Sequence, residues 1–337
     1  MRACFRLLLK LAVLSLPLNF FLATYVWYDP FRVLYHYDDY YQGHDVGLDR
    51  DFVSTEVFLR QVDRYHYDSF IFGNSRTMAF LTSDWSPLIG SPVAFHFDAS
   101  MESLFGIVGK VRLVEQKGLP LRNALILLDV SILAGTTDRY DEHLYVKHPA
   151  VSGNGWLPFQ LAFVKSYLSP KFCLPFLAKK LLGRQIPGFP SPFRAEVPEQ
   201  MDPVTNDIRV PKLEQRIAAD PEAYYRGWDA KYPPDQKDSK TSPPVICDAA
   251  KELLGDLREA FARQGTNYRI VINPLWNKRQ LHPADLGVLK SIFGKDRVFD
   301  FSGVNHITSD KLNYYEDSHY RPHIGREILS RIYHCPD

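Results

Sequence analysis

The sequence predicts an α/β fold built on a five-stranded parallel sheet, and three observations carry that prediction. Five short apolar runs each stop at small or polar residues, and stretches with helical spacing of apolar side chains separate most of them. In addition, 15 of the 24 prolines fall between Pro149 and Pro244, so the irregularity is concentrated in one stretch.

The elements follow in order. Ser69-Phe-Ile-Phe72 ends at Gly73-Asn-Ser-Arg-Thr77, Val93-Ala-Phe-His-Phe97 at Asp98-Ala-Ser100, and Ala124-Leu-Ile-Leu-Leu128 at Asp129-Val-Ser131. Between the second and third runs, Ser103 to Lys117 carries Leu104, Ile107, Val108, Val111 and Leu113 near helical spacing before Gly118 stops it. Lys251 to Gln264 reads as a helix, Tyr268 to Ile272 as the fourth strand, Arg297 to Phe301 as the fifth, and Ile324 to Tyr333 as the closing helix. Right-handed crossovers connect such strands. The stretch from about 140 to 244 breaks the alternation and reads as an insertion of loops and short helices. Within it, Trp156 to Leu182 mixes aromatics, leucines and lysines as interfacial helices do, and equally as helices packed on the core do.

Composition narrows the function classes. With 45% hydrophobic and 23% charged residues, the 337-residue chain can bury a core and is neither fibrous nor disordered. Forty basic against 39 acidic residues leave a net charge of +1, which excludes a general basic field for a nucleic-acid partner. Cys4, Cys173, Cys247 and Cys335 lie at wide spacings without a C-x-x-C or Cys/His cluster, so no metal site is expected. Cys173 and Cys247 are a disulfide candidate if the domain is exported.

The N-terminus carries Arg2, Arg6 and Lys10 and then runs from Leu11 to Tyr28, 18 residues, without a charged side chain. That length matches a membrane-spanning helix, and the basic residues before it place that end in the cytoplasm. A cleavable signal peptide has the same charged start and apolar centre, but Phe21-Leu-Ala23 puts a bulky residue where a cleavage site wants a small one. The organisation read from the sequence is therefore an anchor over 1–28, a connecting segment over 29–64 and an α/β domain over 65–337 with the insertion inside it. That makes a single-pass inner or plasma membrane protein whose domain lies outside the cytoplasm, in the periplasm.

Two motifs carry chemistry. In Phe72-Gly73-Asn74-Ser75-Arg76-Thr77 a serine follows a strand, where parallel sheets present ligands; Gly73 permits a tight turn and the Ser75 amide can face an oxyanion. In Tyr314-Tyr315-Glu316-Asp317-Ser318-His319-Tyr320-Arg321 an acid and a histidine stand two apart before the last helix, so that Asp317 can orient His319 and His319 can serve Ser75 as base. Asp317 or Ser318 as a helix cap and His319 as a partly buried side chain is the structural alternative.

Together, in this order and on this strand pattern, the two motifs resemble the SGNH (GDSL-type) hydrolase superfamily, over roughly residues 65–135 and 245–335. The resemblance implies a flavodoxin-like three-layer sandwich, a Ser75, Asp317 and His319 triad, and no cofactor. The Asp317-Ser-His319-Tyr320 form is similar to the alginate O-acetylation proteins, and the single anchor to the D-alanyl transfer proteins of teichoic acid. The expected activity is that of an anchored O-acyltransferase or carbohydrate esterase acting on a cell-surface polysaccharide. A transferase of this kind implies a multi-span membrane partner that delivers acyl groups. Departures point to the other reading, a catalytically silent module that binds glycan or scaffolds a modification or export complex. The oxyanion-hole glycine and asparagine have no clear counterparts, and an ionised Asp129 cannot donate a hydrogen bond. Ser100, Ser131, Asn273 and amides near Met101 are candidate replacements. Glu316, three before His319, is a rival orienting acid, and Arg76 and Arg321 are candidates for holding an anionic sugar or phosphate.

Overall fold

The structure, a computed structural model, describes residues 2–91, 93–194, 200–233 and 241–333, without the side chains of 2–9, 11 and 12. Five strands form one parallel sheet: β1 (Ser69–Gly73), β2 (Ala94–Asp98), β3 (Asn123–Leu128), β6 (Asn267–Ile272) and β7 (Val298–Asp300), in the order β2-β1-β3-β6-β7. Between β3 and β6 a two-stranded hairpin, β4 (Gln200–Met201) and β5 (Ile208–Arg209), lies in the insertion. Phe72 is in register with Phe97 on one side and Ile126 on the other. The order reverses between β1 and β3, and at such a reversal a crevice opens beyond the carboxyl ends of the strands.

β1, β2 and β3 are buried along their whole length, as helices on both faces require. The two-residue period of a strand divides their side chains between two cores. Phe70, Phe72, Phe95, Phe97, Ile126, Leu128 and Ile270 face α2 (Arg50–Tyr65), α4 (Leu104–Gln116), α8 (Asp248–Gln264) and α9 (Pro283–Phe293). Ile71, Ala94, Leu125, Leu127 and Val271 face α3 (Thr82–Ile89) and α10 (Pro322–Tyr333), whose Ile324, Ile328, Leu329 and Ile332 form its buried stripe.

The segment 29–64, read from the sequence as a connector, contributes α2 to the first core. Asp49 caps this helix by accepting from the amides of Asp51 and Phe52, and His66 ends it in the left-handed conformation. Phe52, Val53, Val57, Phe58 and Val62 recur at helical spacing, and the Phe58 ring lies 4.9 Å from that of Phe97.

The insertion wraps both faces. Its helices α5 (Trp156–Leu168) and α6 (Pro170–Leu182) bury Phe159, Phe163, Tyr167 and Phe176 in the first core, while α7 (Pro211–Ala219) and the turns after it place Ile217, Tyr225 and Trp228 in the second. Trp156 to Leu182 is thus packed on the core along one side. Cys173 is buried in α6, Cys247 is exposed, and both are free thiols, so the candidate disulfide is not formed.

Helix α1 (Arg2–Tyr28) is fastened at its C-terminal end. The hydroxyls of Thr24 and Tyr167 are 2.8 Å apart, and the rings of Tyr28 and Phe176 meet at 5.7 Å. Among the described residues no helix is long and apolar enough to cross a membrane. Leu11 and Ala12, which open the charge-free run, and Arg2 and Arg6 before it are among the residues whose side chains are not described.

Candidate active site

Ser75 is placed by a backbone that only glycine allows. Gly73 ends β1 at φ 152°, and a Cβ there would stand 2.8 Å from Thr77 Cγ2 and 2.9 Å from the Leu127 carbonyl oxygen. The buried Asn74 then caps a 3-10 turn, Ser75–Ala79: its side-chain oxygen accepts from the Arg76 amide at 3.2 Å and its carbonyl from the Thr77 amide at 2.9 Å. Helix α10 presses on this turn, and a Cβ on Gly325 would overlap the Ala79 carbonyl oxygen.

His319 comes from the loop before α10. Tyr314 and Tyr320 form an antiparallel bridge, and the Tyr315 amide donates to the His319 carbonyl at 2.9 Å, so residues 316–318 are held in a tight turn. The ring is 2.8 Å from the Ser75 hydroxyl through Nε2 and is hydrogen-bonded to the Glu316 carboxylate through Nδ1. The other Glu316 oxygen accepts from the Ser318 amide at 3.0 Å. Burial pushes the Glu316 carboxyl up, but its bonds with His319, Asp317 and Ser318 outweigh that and hold it below the ordinary range.

The orienting acid is therefore Glu316, and the assignment of that role to Asp317 is corrected. The turn brings the residue three before His319 under its ring. Asp317, two before, faces Glu316 instead, and burial together with that neighbouring carboxylate raises its pKa.

Asp129, buried at the end of β3, joins the two motifs. It accepts from the Asn74 amide group at 2.8 Å, the Arg76 guanidinium at 2.8 Å and the Asn273 amide group at 3.2 Å, as well as from the Ser131 amide at 3.0 Å. Burial pushes this carboxyl up, but Arg76 and the hydrogen bonds hold it below the ordinary range. Arg76 also donates to the Ser318 carbonyl at 3.0 Å and its hydroxyl at 3.2 Å, which ties the histidine loop to the serine turn.

These contacts correct several sequence expectations, because donors that read as free are already engaged. Arg76 is a brace and not an anion site. Asn273 gives an amide N–H to Asp129 and accepts from the Tyr320 hydroxyl at 2.9 Å, and it is buried outside the set of residues that line the cavity. The Ser131 hydroxyl bonds to Asp129. Arg321 is paired with Glu214, its Nη2 at 2.5 Å and its Nε at 3.1 Å from the carboxylate. Of the weaker candidates, Ser100 does line the site, beside Met101, whose left-handed backbone at φ 48° turns the loop after β2. The Ala99 amide donates to the Gly73 carbonyl at 3.2 Å, which holds that loop against the serine turn.

Ser75, Ser318 and His319 open into a cavity of about 550 Å³. Its walls are mostly apolar: Leu48 from the segment before α2, Met78, Met101, and Leu144, Tyr145 and Ile208 from the insertion. Arg50 and Asp98 line it as a buried pair, Nη2 to Oδ1 at 2.7 Å. Sequence reading missed Arg50 because it lies in the presumed connector, where no motif singles it out. Four more buried charges tie α2 and α4 to the insertion. Lys110 lies 3.1 Å from Asp51 and 2.5 Å from Glu102, and Lys147 lies 3.2 Å and 2.5 Å from the same two acids.

Chemically, the arrangement can activate a hydroxyl. A carboxylate on Nδ1 keeps the proton there and leaves Nε2 as the acceptor for the Ser75 proton. Neither protein-family models nor curated proteins give a match to this chain.

Proposed function

We propose that this protein is an acyl-ester enzyme, an O-acyltransferase or esterase, acting on a cell-surface polysaccharide through Ser75, His319 and Glu316. The observation that carries the reading is the continuous line Ser75 Oγ, His319 Nε2, His319 Nδ1, Glu316, with the first contact at 2.8 Å and the cavity beside it. Ser75 Oγ attacks the acyl carbon of an ester and gives its proton to His319 Nε2; the C–O bond to the leaving alcohol breaks, and that oxygen takes the proton. A sugar hydroxyl or water then gives its proton to His319 and attacks the acyl-serine, and the released Ser75 oxygen takes the proton back.

The strand order and the position of the serine after β1 are consistent with a flavodoxin-like sandwich of the SGNH superfamily. The exposed Val13, Leu14, Leu16, Leu18 and Phe20 of α1 support its role as a transmembrane anchor, with the domain in the periplasm. Under this reading a multi-span membrane partner supplies the acyl groups.

One observation favours the second reading, a catalytically silent module that binds glycan or scaffolds a modification complex. The side-chain amides of Asn74 and Asn273 and the guanidinium of Arg76 all converge on Asp129, so these three are turned toward a buried carboxylate. Mass spectrometry of the full-length protein after exposure to a fluorophosphonate separates the two. An adduct on Ser75 that disappears in His319→Ala supports the enzyme; its absence from folded protein makes the scaffold the better reading.

A further inference from the structure

The hairpin of α5 and α6 turns one side to the core and, among the described residues, leaves large apolar side chains exposed on the other. On α5, Phe159, Ala162, Phe163 and Tyr167 are buried, whereas Leu157 and Leu161 are exposed, Leu157 by 72%. On α6, Leu174, Leu181 and Leu182 are exposed at a spacing that repeats on one helical face, Leu182 by 69%. Trp156 stands exposed at the start of α5.

Charge says what covers this side. From Trp156 to Arg184 the chain carries Lys165, Lys171, Lys179, Lys180 and Arg184 and no acidic residue, although the whole protein has a net charge of only +1. Lys180 leans toward Asp45 at 3.8 Å. Leucines and a tryptophan among lysines, with no acid, match the boundary between acyl chains and anionic headgroups.

The surface is also continuous with α1. Tyr25 donates to Gln160 at 3.4 Å, Thr24 meets Tyr167, and the exposed apolar side chains of α1 run on from this junction. We propose that the α5–α6 hairpin lies on an anionic phospholipid surface as a second membrane contact beside the anchor, so that the domain is seated on the bilayer and not merely tethered to it. The inference rests on the membrane-attached part of the function proposed above.

The test uses the full-length protein in vesicles, with benzoylphenylalanine placed at position 157 or 182 and, as a control, at position 330 on α10, which packs on the opposite face of the sheet. Flotation in alkaline carbonate measures the anchor independently, and fluorophosphonate labelling of Ser75 measures the site. Illumination should give phospholipid adducts at 157 and 182, none at 330, and many more with phosphatidylglycerol present than with phosphatidylcholine alone. Combining Lys171→Glu, Lys179→Glu and Lys180→Glu should lower the adduct yield by about an order of magnitude or more while flotation is retained. Floating protein without lipid adducts at 157 and 182, or with protein–protein adducts there instead, overturns the proposal; protein that fails to float overturns the anchored reading on which it stands.

Discussion

The carboxyl edge of the sheet and the α1 and α5–α6 surface differ in how their side chains are satisfied. At the sheet edge the polar groups around Ser75 are tied to one another: Asp129 gathers Asn74, Arg76 and Asn273, and Arg76 reaches on to Ser318. On the other surface, Leu14 and Trp27 of α1 are 76% and 82% exposed, and Leu157, Leu161, Leu174, Leu181 and Leu182 of the hairpin are exposed as well. A site that does chemistry is built from internal contacts that hold a few atoms still. A contiguous exposed apolar surface marks a place where another apolar phase or partner can dock.

If the first region is an activated nucleophile, Ser75→Ala and His319→Ala should lower fluorophosphonate labelling by about 10³-fold or more while leaving flotation with membranes unchanged. Equal labelling of the variants and the wild type would remove the distinction between the two regions.

The two neighbouring acids sharpen it next. Glu316→Ala should slow labelling by about 10²-fold or more, because the ring loses the partner that fixes its tautomer, whereas Asp317→Ala should change it by only about two-fold. Labelling rates by mass spectrometry decide which carboxylate serves His319, and the reverse order would restore Asp317.

Lys147→Met tests whether the buried charges that join α2 and α4 to the insertion are structural. Removing one cation from a buried cluster leaves Asp51 and Glu102 undercompensated, with an expected loss of about 3–5 kcal/mol in denaturant unfolding. Arg76→Met should have a smaller effect on stability and slow Ser75 labelling by about 10- to 100-fold, through a histidine loop no longer tied to the serine turn. Faster amide exchange at residues 316–319 would be its signature.

The smallest expected effect is on pH dependence. Asp98, Asp129 and Glu214 are each held below their ordinary pKa by an arginine, against the opposing effect of burial. A carboxyl depressed on folding stabilises fully above its unfolded value, about 4, and loses that contribution as pH falls through its lower folded value. Asp49, which burial raises, acts in the opposite sense. Unfolding followed from pH 6 down to about 3 should therefore show a shallower decline for Asp129→Asn than for the wild type; parallel curves would mean that Asp129 is not depressed.

The strands were legible because each buries a continuous apolar run and stops at a residue the sheet cannot use, as Phe72 gives way to Gly73 and Leu128 to Asp129. Ser75 and His319 were legible from their places at strand and helix ends, and their 2.8 Å contact follows from α10 packing back against the serine turn. Helix α2 reads as a connector although Phe52, Val53, Val57 and Phe58 have helical spacing, because it also buries Arg50, Asp51 and Glu56, charges that a sequence pattern assigns to the surface.

Local sequence determined which segments became strands and helices and which residue types stood at their ends, since hydrophobic period and the φ of a glycine act within a few residues. The choice of Glu316 over Asp317 was made by the local turn of residues 314–320, whereas the capture of Arg76, Asn273 and Arg321 by Asp129 and Glu214 was decided only by tertiary structure. A side chain's partner is set by which groups the folded backbone brings within about 3 Å, and residues 76, 129, 273 and 318 meet only after the sheet has aligned the ends of β1, β3 and β6 and α10 has packed against the serine turn.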